Sequence, residues 1–91
     1  MHISCDPRKD AENIRRHGVS LLYAALLDWE SAWVWIDDRF IYDEVRMIAL
    51  APESNTLYYV AFVERFEERR IISLRKATRR EVKRYVENNR G

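Results

Sequence analysis

Gly18 and Gly91 are the only glycines in this 91-residue chain, so no glycine-rich loop is available to cradle a nucleotide phosphate. Cys5 is the single cysteine, which excludes an internal disulfide and reads as a small packing residue rather than a nucleophile. With only His2 and His17 beside it, the usual Cys and His spacings of a metal site cannot be assembled, and no cofactor is expected. No apolar run approaches the roughly 18–20 residues of a membrane-spanning helix. The opening Met1-His2-Ile3-Ser4 has neither the basic flank nor the apolar stretch of a secretory leader. The expectation is one domain over residues 1–91, acting in the cytoplasm, with a small core: 47% of residues are hydrophobic and 34% charged.

Charge of one sign is scarce in each half. From Met1 to Glu64 there are six Lys or Arg against eleven Asp or Glu, and from Arg65 to Gly91 ten against four. A net charge of +1 therefore conceals −5 and +6. Such asymmetry points to a polyanionic partner, RNA or DNA first among them.

The turn chemistry divides the chain into elements. Asp6-Pro7 is a helix start and Gly18 a helix stop, which predicts a helix over Pro7–His17 with Ala11 and Ile14 as its apolar stripe. Ser20 caps a second helix through Leu27, apolar almost all round and expected to be buried. Four strands follow, at Ala32–Ile36, Val45–Leu50, Leu57–Val63 and Arg70–Arg75, with connections so short that they must pair antiparallel as a meander. Leu57–Val63 is apolar on both faces and belongs in the centre. A last helix begins at Thr78, whose spacing to Glu81 is that of a capping box, and should bury Val82, Tyr85, Val86 and Asn89. The fold class is α+β: two N-terminal helices, a four-stranded antiparallel sheet and a C-terminal helix.

RNA cleavage needs no metal when the substrate's own 2′-hydroxyl is the nucleophile; the protein then supplies a base, an acid and cations on the phosphate. Arg46, Arg70, Arg75 and Lys76 are the candidate phosphate ligands, since guanidinium forks suit two phosphoryl oxygens at once. Strand alternation places Ile71, Ser73 and Arg75 on one face and Arg70, Ile72 and Leu74 on the other. His17, Glu81 and Tyr85 are the candidate proton carriers. Each has a structural alternative: Glu81 as the capping partner of Thr78, Tyr85 as a core tyrosine, His17 as a cation at a helix C-terminus. Arg79, Arg80, Lys83 and Arg84 give the last helix a basic face for RNA. Arg79 and Arg80 sit in its first turn, where the macrodipole disfavours cations. Trp33 and Trp35 read as core, unless their strand is an edge with an indole left for a protein partner.

These residues also make the chain resemble the BrnT family of bacterial toxins. The similarity runs through Asp6-Pro7, Lys9, Asn13 and Arg16-His17-Gly18-Val19, through Arg39, Glu44 and Arg46, and most closely through Arg70-Ile71-Ile72-Ser73-Leu74-Arg75-Lys76-Ala77 with Glu81 and Tyr85 downstream. Cys5, Leu74 and Leu22 depart from the family pattern at packing positions. The resemblance implies a RelE-like ribonuclease fold, cleavage of RNA, arrest of translation, and neutralisation by a BrnA-like ribbon-helix-helix antitoxin. Contact with DNA would come only through the toxin–antitoxin complex, with no membrane partner. Two other readings stay open from the residues themselves: a non-catalytic RNA- or protein-binding module, and a co-repressor subunit acting with the antitoxin.

Overall fold

The first helix forms where its caps dictate. In the computed structural model, which describes residues 1–90, α1 spans Pro7–His17. Asp6 is extended and accepts a hydrogen bond from the Arg8 N–H at 2.8 Å. Gly18 takes the left-handed conformation (φ 72°) and donates its N–H to the Ile14 carbonyl at 2.8 Å. The expected apolar stripe is not what docks the helix, because Ala11 and Ile14 are both exposed. Asn13 docks it instead, only 4% exposed. Its amide donates to the carbonyls of Leu74 (2.8 Å) and Val19 (2.9 Å) and accepts from the Leu74 N–H (3.1 Å).

The second element is a 3₁₀ helix, Leu21–Leu26, not an α-helix. Ser20 caps it, accepting from the Leu22 N–H, and Asp10 of α1 accepts from both the Leu21 N–H (2.7 Å) and the Ser20 hydroxyl (2.8 Å). Three residues per turn put Leu21, Ala24 and Leu27 on one line, and these are the buried ones. Leu22 and Leu26 face outward, so the segment is buried along a stripe and not all round. A second 3₁₀ turn covers Trp29–Ser31.

The sheet has five strands, one more than the sequence predicts: β1 His2–Cys5, β2 Trp33–Ile36, β3 Met47–Glu53, β4 Thr56–Arg65 and β5 Glu68–Lys76, in the order β1-β5-β4-β3-β2. β2 to β5 form the expected antiparallel meander with β4 at its centre, and β2 is an edge. β1 is the addition, lying parallel to β5 from His2↔Glu68 to Cys5↔Ile71. Four residues with no strong apolar alternation carry no strand signal; β1 exists because β5 offers it an edge.

The decisive local feature is a bulge. Ala61 pairs with Ser73 and Phe62 with Ile71, so Ile72 is the extra residue of β5. An inserted residue reverses the alternation on either side of it. Ile71 and Leu74 therefore share the core face with Val60, Phe62 and Leu21, while Arg70, Ser73 and Arg75 share the opposite, open face. The strict alternation that separates Arg70 from Arg75 is corrected by this single residue.

The last helix, α2, spans Arg79–Arg90, and its capping box forms as expected: the Thr78 N–H donates to Glu81 at 2.8 Å and the Glu81 N–H to the Thr78 hydroxyl at 3.2 Å. Its apolar side is not buried. Val82 and Val86 are 40% and 44% exposed, Asn89 is exposed, and only Glu81 and Tyr85 are half-buried. What holds α2 is polar: Arg75 grips Glu81, the Tyr85 hydroxyl donates to the Ser31 carbonyl at 2.6 Å, and the Arg84 guanidinium lies 5.5 Å from the centroid of a Trp33 ring.

Asn13→Leu removes the partner of two buried backbone groups of Leu74, each costing about 1–3 kcal/mol when left unsatisfied. The expected outcome is a urea midpoint lowered by the equivalent of about 2–6 kcal/mol. An unchanged midpoint would show that the amide does not clamp α1 to the sheet.

Candidate functional site

Cross-strand registry lays out the open face in rows. Trp33, Leu50, Tyr59 and Arg75 form one; Trp35, Ile48, Ala61 and Ser73 the next; Val63 and Arg70 lie beyond, beside Arg46. α1 meets β5 at the edge of this face, which brings its C-terminal residues to the same side as Ser73.

Two adjoining hollows occupy the α1 end. One, of about 400 Å³, is bordered by Lys9, Arg46 and Arg70 with Tyr42 and Ile72; the other, of about 280 Å³, by Lys9, Arg16, His17, Arg46 and Ser73. Arg46 is common to both. Its guanidinium lies 4.1 Å from the Tyr42 ring centroid, a cation–π contact, and its Nε is buried without any hydrogen-bond partner. None of Lys9, Arg16, Arg46 and Arg70 forms a salt bridge among the described residues. Of the nearby acids, Glu12 is engaged by Arg15 and Glu44 by Arg65, while Asp43 borders the first hollow and forms no salt bridge among the described residues. Across the two hollows Lys9, Arg16, Arg46 and Arg70 outnumber Glu12, Asp43 and Glu44, which leaves an excess of positive charge beside His17.

Tyr42 is itself positioned. Its hydroxyl donates to Asp37 at 2.9 Å, and Asp37, 4% exposed, takes two hydrogen bonds from the Arg39 side chain at 2.8 and 2.9 Å. The Arg39 hydrogen bonds hold the Asp37 carboxyl well below the usual range, against the upward push of its burial. The same pair raises Arg39. Asp37 thus stays ionised and fixes the ring on which Arg46 rests.

A third hollow, of about 240 Å³, lies at the α2 end between Trp35, Tyr59, Arg39, Arg75 and Arg84. Here two of the three arginines, Arg39 and Arg75, are already answered by carboxylates. Arg75 makes a two-pronged bond to Glu81 (2.8 and 3.0 Å) and lies 3.9 Å from the Tyr59 centroid. The hydrogen bonds it donates to Glu81 raise the Arg75 pKa. Burial pushes Glu81 up, but its bonds to Arg75 and Thr78 outweigh that and leave it lowered.

The expected site residues are therefore divided. Arg46, Arg70 and His17 meet around the first two hollows, and Arg75, Glu81 and Arg84 around the third, on the same sheet face. Lys76 does not join them: it pairs with Tyr58, a core-face residue, so alternation carries it to the opposite side from Arg75. Tyr85 spends its hydroxyl on Ser31, and Arg79, Arg80 and Lys83 stand exposed on α2 outside the three hollows. Sequence reasoning missed the support formed by Asp37, Arg39 and Tyr42, and missed Lys9 and Arg16 as neighbours of Arg46. The sequence cues to the former were the opposite charges of Asp37 and Arg39 two residues apart and the place of Arg39 in the resemblance to BrnT.

Fold and site together define a small α+β domain with two arginine-bordered hollows on one face of its sheet. Among the described residues no group of three His, Cys, Asp or Glu side chains is placed to hold a metal, and no helix is long and apolar enough to cross a membrane. Residues 5–81 match the protein family described as "Ribonuclease toxin, BrnT, of type II toxin-antitoxin system". The chain belongs to the BrnT family, a family of ribonuclease toxins. No curated protein matches it.

Asp37→Asn tests the support. Because the folded-state pKa of Asp37 is depressed, its stabilising contribution is complete above the ordinary Asp value of about 3.9 and is lost as pH falls toward the folded value. The stability gap between wild type and Asp37→Asn should therefore be widest above about pH 5 and narrow below about pH 4 in parallel urea titrations. A gap independent of pH would contradict the ion pair's role.

Proposed function

We propose that this chain is the toxin of a type II toxin–antitoxin pair and cleaves RNA without a metal ion, by attack of a ribose 2′-oxygen on the adjacent phosphorus. The observation that carries the reading is Arg46: a guanidinium seated on Tyr42, its Nε buried and unpartnered, between Lys9, Arg16, His17 and Arg70. The Arg46 Nε has almost no accessible surface, so an incoming phosphate oxygen would meet the outer nitrogens of the guanidinium.

In this scheme Arg46 and Arg70 hold the scissile phosphate and stabilise the charge that grows on its non-bridging oxygens. His17 borders the same hollow as Arg46 and takes the 2′-hydroxyl proton. The 2′-oxygen bonds to phosphorus, the bond to the 5′-oxygen breaks, and that oxygen is protonated as it leaves, giving a 2′,3′-cyclic phosphate and a 5′-hydroxyl. Glu81 and Tyr85 are already committed to α2, which leaves His17 as the best-placed proton carrier. Arg75 acts in the neighbouring hollow, and the basic side chains Arg79, Arg80, Lys83 and Arg84 extend the field toward the rest of the RNA. Lys76, on the far face, takes no part in phosphate binding.

Cleavage of cellular RNA would arrest translation in the cytoplasm, and a cognate antitoxin of the BrnA-like ribbon-helix-helix class would neutralise it. The exposed apolar side chains Phe40, Ile41 and Val45 of the loop after β2, with Val82 and Val86 of α2, supply surface for such a protein partner.

Arg46→Ala should relieve growth arrest and lower RNA cleavage by roughly 10²–10³-fold, the usual loss of one transition-state donor, with an unchanged circular dichroism spectrum. Lys76→Ala should cleave as wild type does. Cleavage should persist in EDTA. Strict dependence on added magnesium, or full activity in folded Arg46→Ala, would overturn the scheme and favour a non-catalytic RNA-binding module.

A further inference from the structure

The hollow at the α2 end differs chemically from the two beside α1. Its lining carries three arginines and three carboxylates, Arg39, Arg75 and Arg84 against Asp37, Asp38 and Glu81. Two of those pairs are closed by two-pronged bonds, Arg39 to Asp37 and Arg75 to Glu81. It is formally neutral, so it has no excess charge with which to hold a phosphate. What it offers is flat surface. Trp35 stands on one side, in tilted contact with Trp33 at 4.9 Å between centroids; the Tyr59 ring with the Arg75 guanidinium 3.9 Å from its centroid stands on another; Ile48 lies on the floor. Trp35 and Tyr59 are only half-buried.

The position is as informative as the lining. Trp35 and Ser73 belong to one cross-strand row, through Ile48 and Ala61. Ser73 borders the Arg46 hollow, and Ile48 the neutral one. Two strand spacings of about 4.8 Å therefore separate them, about the reach from a phosphate to the base of an adjoining nucleotide.

We propose that the hollow between Trp35 and the Tyr59–Arg75 stack receives one unpaired nucleobase next to the scissile phosphate, so that the substrate is single-stranded RNA with a base turned out onto the sheet. The proposal rests on the phosphate site assigned above and adds a second contact that this site does not require. Aromatic rings and guanidinium planes are the surfaces on which unstacked RNA bases lie. A base held in a duplex cannot enter. The closed ion pairs have a function in this arrangement: Asp37 and Glu81 hold the Arg39 and Arg75 planes in place while cancelling the charge that would otherwise draw a phosphate into the wrong hollow.

The test uses the full chain and a set of single-stranded oligonucleotides made uncleavable by 2′-O-methyl groups, each with one abasic position, the position moving along the strand. Wild type should lose affinity at one abasic position by roughly 5- to 150-fold, the range that base–aromatic stacking supplies, and much less elsewhere. In Trp35→Ala that sensitivity should vanish while the salt dependence of binding, set by phosphate contacts, is kept. Trp35→Phe, which retains a ring, should show it in reduced form and guards against misfolding of the alanine variant. A flat abasic scan in wild type, equal binding of the corresponding duplex, or the same sensitive position in folded Trp35→Ala would overturn the proposal. Because binding is read on uncleavable strands, absence of catalysis would strike the nuclease scheme and leave this result standing.

Discussion

One side-chain amide sits where the helical and sheet halves of this molecule must agree. β1 pairs with β5 only as far as Ile71, leaving the backbone of Leu74 without a strand on that side. Asn13 answers both groups, donating to the carbonyl and accepting from the N–H, as the backbone of another strand residue would. Its second donor proton holds Val19, which fixes the chain as it leaves α1. With its apolar stripe exposed, α1 is anchored by polar contacts, Asn13 to the sheet and Asp10 to the 3₁₀ helix. The position of His17, Arg16 and Lys9 relative to Ser73 and Arg46 follows from these contacts, and with it the form of the anion-receiving hollows.

The second organising feature is how charge is answered across the open face. All but one of the sixteen Lys and Arg could have been paired, given fifteen acids. Instead the arginines divide: Arg39 and Arg75 are locked by carboxylates, while Arg46 and Arg70 are left free. Locked arginines behave as rigid planar surfaces; free ones behave as charge. The Ile72 bulge lets both kinds share a face, since it puts Arg70 on the same side as Arg75 despite their odd separation.

Much of this was legible from the residues. Asp6, Gly18, Thr78 and Glu81 marked helix ends, because capping is local chemistry. The meander was legible from its short connections, and the central place of Leu57–Val63 from its two apolar faces. Non-local features were not. β1 has no pattern of its own, the bulge is decided by packing on both sides of β5, and the 3₁₀ geometry of Leu21–Leu26 reflects the footprint left for it between α1 and the sheet. The site was legible in kind but not in arrangement. Arg46, Arg70 and His17 border adjoining hollows, whereas Lys76 lies on the opposite sheet face from Arg75 and Val82 and Val86 stay exposed. The Asp37–Tyr42 support could not be inferred, since a buried carboxylate in a turn is recognisable only once its partners are in place.

The attachment of α2 has one more consequence. A helix held by an ion pair, one hydroxyl and a ring contact, with no apolar seam beneath it, can lift away without disturbing the core. Its amides should exchange with deuterium well before those of β4, and a protease should nick the chain near Ala77 and Thr78 before it reaches the sheet. Such behaviour would divide the molecule into two cooperative units of unequal robustness, with Trp33 and the Arg75–Glu81 pair at the seam between them.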